Sequence, residues 1–180
     1  MRATDSRLAH LHRFEGTEAE QAIRGAATAA EAFRLSRLPQ YARLRRSDWR
    51  IVKERVMLQG LRAKFTQHAE LAAMLLDTGT RPISEHSAVS KYWADGVDGS
   101  GANRLGYLLQ RVRGELQSLS YETQAAATPL GAADGMPPNT PVMFYDKREA
   151  FYEFTNFFKA PIMVGGLWYA TSENYFQSKK

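Results

Sequence analysis

Trp168-Tyr169-Ala170-Thr171-Ser172-Glu173-Asn174-Tyr175-Phe176-Gln177-Ser178-Lys179-Lys180 is the stretch on which the reading of this chain turns. Thr171 or Ser172 is placed to cap a helix, because a side-chain oxygen there can accept a free N–H of the first turn. From that start Glu173, Gln177 and Lys180 fall at i, i+4 and i+7 and share one face, with Trp168 just upstream. An acid, an amide and an amine beside an aromatic ring are parts suited to chemistry on a sugar–base bond.

Immediately before this helix, Ile162-Met163-Val164, Gly165-Gly166 and Leu167-Trp168 read as a hairpin, two short apolar runs around a glycine pair that tolerates positive φ. Phe151 to Phe158 is aromatic, with Asn156 inside it, and Val142-Met143-Phe144-Tyr145 reads as a strand. Residues 120–141 are rich in Ala, Thr, Gly and Pro and read as a linker between this strand block (142–180) and an earlier helical block (14–119). In the helical block, Thr17-Glu18-Ala19-Glu20 is a capping box that opens a helix to about Arg37, ended by Pro39. Ser47 or Asp48 caps the next helix, whose apolar positions Val52, Val56, Met57, Leu61 and Phe65 recur as on a half-buried face. A short helix through Leu71, Ala72 and Leu75 ends at Thr78-Gly79, where Gly79 can take the left-handed conformation. Arg81 to His86 is a candidate strand, Lys91 to Gly101 a loop, and Asn103 to Leu119 a helix. Residues 1–13 read as a leader.

A chain of 180 residues with 44% hydrophobic residues is long and apolar enough for one globular domain. The absence of cysteine excludes a disulfide framework and thiolate metal sites, and fits a reducing, cytoplasmic setting. Met1 to Arg13 contains no long apolar run, so neither a signal peptide nor a membrane partner is expected. The four histidines show no metal-ligand spacing, so no catalytic metal and no cofactor is expected. A net charge of +5 favours anionic partners. Arg34, Arg37, Arg43, Arg45, Arg46 and Arg50 form a basic region able to hold a pyrophosphate or nucleic acid.

Two sets of motifs resemble the NADAR, or YbiA-like, N-glycosidase family. The first is Phe151-Tyr152-Glu153-Phe154-Thr155-Asn156-Phe157, Pro161-Ile162, then Trp168, Thr171, Glu173, Gln177 and Lys180. The second is Asp48-Trp49, Val56-Met57, the run from Leu61 to Gln67, Leu75-Leu76, Thr78-Gly79, Glu85, Tyr92-Trp93, Gly101, Asn103 and Leu105-Gly106. In the family the strand block comes first and its motif helix runs into a segment like Phe14-Glu15-Gly16-Thr17. Here the order is reversed, as in a circular permutation, which is tolerated where termini lie close and the cut is exposed. The alternative is a fragment of a tandem array, whose halves complete one another within one chain or in a homodimer.

The resemblance implies a mostly helical α+β single domain of YbiA-like fold with a small β-sheet. It implies hydrolysis of the N-glycosidic bond of a nucleotide-like substrate, an ADP-ribosylated base (free or in nucleic acid) or a ribosylamino-pyrimidine phosphate of riboflavin synthesis. Such cleavage passes through an oxocarbenium-like ribose, which a carboxylate stabilises while an acid protonates the leaving nitrogen. An amine can instead capture C1. The family's motif glutamate falls on Glu173, which the helix dipole would keep ionised. Its motif lysine falls on Lys180, where a terminal carboxylate would raise the pKa and oppose nucleophilicity. Trp49 falls on a motif tryptophan suited to stacking on a base. Asn156, Gln177, Trp168, Lys64, Gln67, Trp93 and Asn103 are the candidate substrate-binding residues.

Three positions depart from the family. Ser90 stands where an Asp usually precedes the Tyr-Trp pair, leaving Asp95 or Asp98 to substitute. Ala94 stands for Gly, and Asn174 for the His after the motif glutamate. These departures leave a non-catalytic ADP-ribose or nucleotide-binding module as an alternative function, and the arginines leave nucleic-acid binding as another.

Overall fold

The computed structural model describes residues 16–123 and 139–180. The expected leader, Phe14 and most of the expected linker lie outside these residues. Helix α1 (Glu18–Arg24) begins as the capping box requires: Glu20 N–H donates to Thr17 Oγ1 (3.2 Å), and Gly16 N–H donates to the returning Glu20 carboxylate (2.7 Å). The single helix expected to reach Arg37 is instead two. Gly25 closes α1, and Thr28 starts α2 (Ala29–Leu35) with a second capping box in which Glu31 N–H donates to Thr28 Oγ1 and Ala27 N–H to Glu31. Two caps within four residues satisfy the free amides and carbonyls of both ends, so the break is more favourable than a continuous helix through Gly25.

After a 3-10 turn (Pro39–Leu44), α3 (Trp49–Gln67) runs through the centre of the molecule. Asp48 stands at its N-cap position but caps nothing with its side chain, because Arg46 holds the carboxylate at 2.6 and 2.8 Å. Helix α4 (Ala69–Asp77) ends with Gly79 at φ +59°, as expected. Strand β1 (Ile83–Glu85) pairs parallel with β2 (Val142–Phe144), with Ile83 opposite Val142 and Glu85 opposite Phe144. Helix α5 (Arg104–Thr123) lies between them in sequence and takes in residues 120–123, which were expected to open the linker. Strands β3 (Ile162–Val164) and β4 (Leu167–Tyr169) form the expected hairpin, with Gly165 and Gly166 at φ +60° and +78°. The small sheet is thus two separate two-stranded sheets on a mostly helical α+β domain.

One core joins the two blocks. Leu61 and Phe65 of α3, Leu109 of α5 and Ile83 of β1 pack with Phe144, Phe154, Ile162, Tyr169 and Tyr175. Leu61 is fully buried, and its truncation to Ala removes about 2–5 kcal/mol. Helix α6 (Ser172–Ser178) is buried along its whole length between α1, α2 and α3. A buried helix needs its polar groups satisfied, and the helical block supplies the partners. Asn174 Nδ2 donates to the Ala26 carbonyl (2.9 Å), Lys179 pairs with Glu20 (2.5 Å), and Arg46 N–H donates to the Lys180 carbonyl (2.9 Å). Asn174 therefore ties α6 to the α1–α2 turn.

Candidate active site

A cavity of about 920 Å³ opens where α6, the N-terminal half of α3, the end of β1 and the 145–157 segment meet. Its volume is that of a site for a nucleotide-sized molecule. Glu173, in the first turn of α6, lines it and is 4% exposed. Gln177 Nε2 donates to Glu173 Oε1 at 2.6 Å, and Ser36 Oγ lies 2.7 Å from Gln177 Oε1. The helix dipole was expected to keep Glu173 ionised. Burial outweighs it and pushes the carboxyl up to about 7, against the Gln177 amide, Lys180 and Arg37, which favour the anion.

A second carboxyl faces the same cavity. Glu85 closes β1, and burial, the Glu173 charge and Asp95 push it up to about 7. Its backbone is clamped from the residue before α5: Asn103, at φ +45°, accepts from Glu85 N–H through Oδ1 (3.1 Å) and donates through Nδ2 to the Ile83 carbonyl (2.9 Å). Asp95 N–H donates to the Glu85 carbonyl (2.9 Å). No role had been assigned to Glu85 from sequence, although it stands among the motif residues. An acid among the motif residues, near the end of the candidate strand Arg81 to His86, was the available signal.

Lys180 also lines the cavity. Its pKa is lowered, not raised as expected, because burial and the neighbouring Arg45 and Arg37 outweigh Glu173. The aromatic wall is Trp49, Trp93 and Phe176, with Phe176 centroids 4.9 Å from Trp49 and 5.6 Å from Trp93. Arg37, Arg50, Lys53 and Lys147 add positive charge to the lining, whereas Arg148 is held by Asp146 (2.9 and 3.0 Å), which lines the cavity beside it. Arg37 lies 3.8 Å over the Phe33 ring and Lys53 3.0 Å over that of Tyr92, so both cations rest on π-faces, with Glu173 near Arg37 and Glu54 near Lys53. Asn156 lines the cavity beside Thr155. Asn156 Nδ2 donates to Met57 Sδ (2.9 Å), and its carbonyl accepts the Glu173 N–H (3.2 Å), so it also sets the start of α6.

The structure thus brings together Glu173, Lys180, Trp49, Asn156, Gln177 and Trp93 on one cavity, and leaves four candidates outside its lining. Trp168 is 59% exposed on the outer face of β4. Gln67 exchanges two hydrogen bonds with the Met163 backbone (2.9 and 2.8 Å) and holds the hairpin. Asn103 acts behind Glu85. Lys64 is fully buried; its ammonium donates to the Glu153 and Thr155 carbonyls, and burial lowers its pKa to about 7. Its apolar surroundings and two carbonyl acceptors account for its position on an inward face of α3.

Of the positions that depart from the family, Ser90 and Ala94 line the cavity. Asp95 faces away and binds Ser84 (3.1 Å) and His86 (2.9 Å), and Asp98 is exposed, so neither is placed to substitute. In the arginine region, Arg37 and Arg50 reach the cavity, whereas Arg46 is taken by Asp48.

Residues 4–117 match the model of the NADAR domain. The chain is 54% identical over 71 residues to N-glycosidase YbiA of Escherichia coli (strain K12), covering 39% of this chain and 44% of that protein. It is 42% identical over 105 residues to riboflavin biosynthesis protein VVA0006 of Vibrio vulnificus, covering 58% and 28% respectively. It is also 37% identical over 97 residues to N-glycosidase Npun_R5314 of Nostoc punctiforme, covering 54% and 61%. The aligned part of the chain thus spans less than half of YbiA's length. No solved structure matches. The matched stretch contains Trp49, Glu85 and Trp93, and since it makes up well over half of the chain, the protein belongs to the NADAR domain family.

Proposed function

We propose that this cavity hydrolyses the N-glycosidic bond of a nucleotide-like substrate, an ADP-ribosylated base or a ribosylamino-pyrimidine phosphate. The observation that carries this reading is the pair of carboxyls, half-buried Glu85 and buried Glu173, on one cavity. Their environments separate their roles. Glu173 faces the Gln177 amide, Lys180 and Arg37, which favour its anion against burial. Glu85 faces two acids, Glu173 and Asp95, which add to burial in favouring its protonated form. Glu85 then protonates the base nitrogen as the C1–N bond breaks. Glu173 stabilises the positive C1 and takes a proton from the water whose oxygen bonds to it, leaving free base and a ribosyl phosphate. The Trp49–Trp93 wall holds the base, and the cationic lining holds phosphate. Lys180, with its loosened proton, suits the covalent variant, in which its amine replaces the base at C1 and water later replaces the amine.

The names of the N-glycosidase relatives support this reading, as does the packing of α6 into the matched block. That packing also supports reading residues 16–123 and 139–180 as the two parts of one permuted domain. Free base followed by chromatography, together with ligand binding by calorimetry, tests the function. The wild type is expected to release base at pH 7, and Glu173→Gln to bind the same substrate and release none. Binding without release by the wild type would reject the enzyme in favour of a binding module, the reading that Ser90, in place of the family's Asp, favours.

A further inference from the structure

Glu173 does not meet Gln177 alone. Ser36, the C-cap of α2, is fully buried, and its hydroxyl lies 2.7 Å from Gln177 Oε1 on the side of the amide opposite Glu173. A carboxamide has one acceptor end and one donor end. A hydroxyl donating to Oε1 therefore turns Nε2 toward Glu173, where it donates at 2.6 Å. Its one proton is shared between two acceptors, Oε1 at 2.7 Å and the Phe33 carbonyl at 2.9 Å, with Oε1 the nearer. The Ser36 carbonyl accepts from Arg45 Nη2 at 3.1 Å, which fixes this corner of α2 against the segment carrying the arginines. We propose that Ser36 is a positioning residue: by setting the orientation of the Gln177 amide it aims a donor at Glu173 and favours the ionised carboxylate.

Without the hydroxyl, the Gln177 amide is free to turn, and its Oε1 then accepts from a protonated Glu173. Removing Ser36 therefore favours the protonated carboxyl. Other charges act on Glu173 as well. Lys180, at the end of its own helix, and Arg37, after α2, favour the anion. Glu85 of β1 is coupled to it. Lys179 and Glu20 of α1 are committed to each other, and Lys64 of α3 to the Glu153 and Thr155 carbonyls. None of these distinguishes the two ends of the Gln177 amide; Ser36 does.

The catalytic consequence rests on Glu173 being the working carboxylate, but the test needs no substrate, so its failure is separable from failure of the proposed activity. Glutamate 13Cδ resonances are followed against pH in a Glu85→Gln background, where Glu85 no longer couples to Glu173. Ser36→Ala is expected to raise the Glu173 midpoint by about half to one pH unit, the worth of one lost neutral hydrogen bond. In a Gln177→Met background the same change is expected to move nothing, because the amide through which Ser36 acts is gone. No shift on Ser36→Ala, or an equal shift in both backgrounds, would overturn the proposal. Should Ser36→Ala not fold, Ser36→Cys keeps the test open: a weakly donating thiol gives a smaller upward shift, and an unmoved midpoint rejects the idea.

Discussion

Glu173→Gln is expected to stabilise the protein that it inactivates. The unfolded chain releases the Glu173 proton near the ordinary value of 4.5, whereas the folded chain holds it to about 7. Between those values the folded state binds more protons, so this group's contribution to stability is fully present below about 4.5 and is lost as pH rises through about 7. At about 1.36 kcal/mol per pH unit, the loss by pH 8 is about 3 kcal/mol. Little discount for solvent applies, because the side chain is 4% exposed. Glutamine has nearly the same shape, keeps an oxygen for the Gln177 donor, and is neutral in both states. The variant therefore avoids the loss, and Glu85, freed of a neighbouring charge, adds to the gain. Urea unfolding at pH 5 and pH 8 measures it. The expected gain at pH 8 is about 3 kcal/mol, or about 6–12 °C in Tm for a chain of this size, shrinking toward zero at pH 5. Equal stability at pH 8, or a gain independent of pH, would refute the burial of an ionisable carboxyl at this position.

The same logic runs the other way at Lys64, whose lowered pKa makes wild-type stability rise with pH between about 7 and 10.5. Lys64→Met is expected to lose that rise, up to about 5 kcal/mol, and denaturation curves across the window check it. Gly106 lies so close to β1 that a Cβ would meet the Ile83 carbonyl and the Asn103 amide. Gly106→Ala is therefore expected to cost about 1–3 kcal/mol, and an unchanged urea midpoint would contradict the close approach. Trp93→Ala is expected to weaken ADP-ribose binding by about tenfold or more through loss of stacking, while Trp168→Ala, on an exposed strand face, leaves it unchanged; calorimetry on both decides.

What could be read from the sequence was local. The capping box at Thr17, the left-handed Gly79, the Gly165-Gly166 hairpin and the Thr171 cap each rest on residues within a few positions of one another. The Thr28 cap was equally local, but the stretch from Thr17 to about Arg37 was read as one helix ended by Pro39. Pairings across the chain were hidden. Nothing local sets β1 beside β2. The candidate site divided along the same line. The helical spacing of Glu173, Gln177 and Lys180 put them on one face, but the inward or outward direction of Lys64, Gln67 and Trp168 depended on what packs against them. Glu85 acquires its character from Glu173 and Asp95 across the fold, so no spacing rule singles it out. The expected pKa directions at Glu173 and Lys180 failed for a related reason: helix position was legible, whereas the depth of burial was not.

The most direct test of the central claim is base release at pH 7 by wild type and Glu85→Gln on an ADP-ribosylated nucleobase. The paired-carboxyl account predicts release by the wild type and a fall of at least about 100-fold in the variant, with substrate binding retained. Absence of release by the wild type, or an undiminished rate in Glu85→Gln, would contradict it.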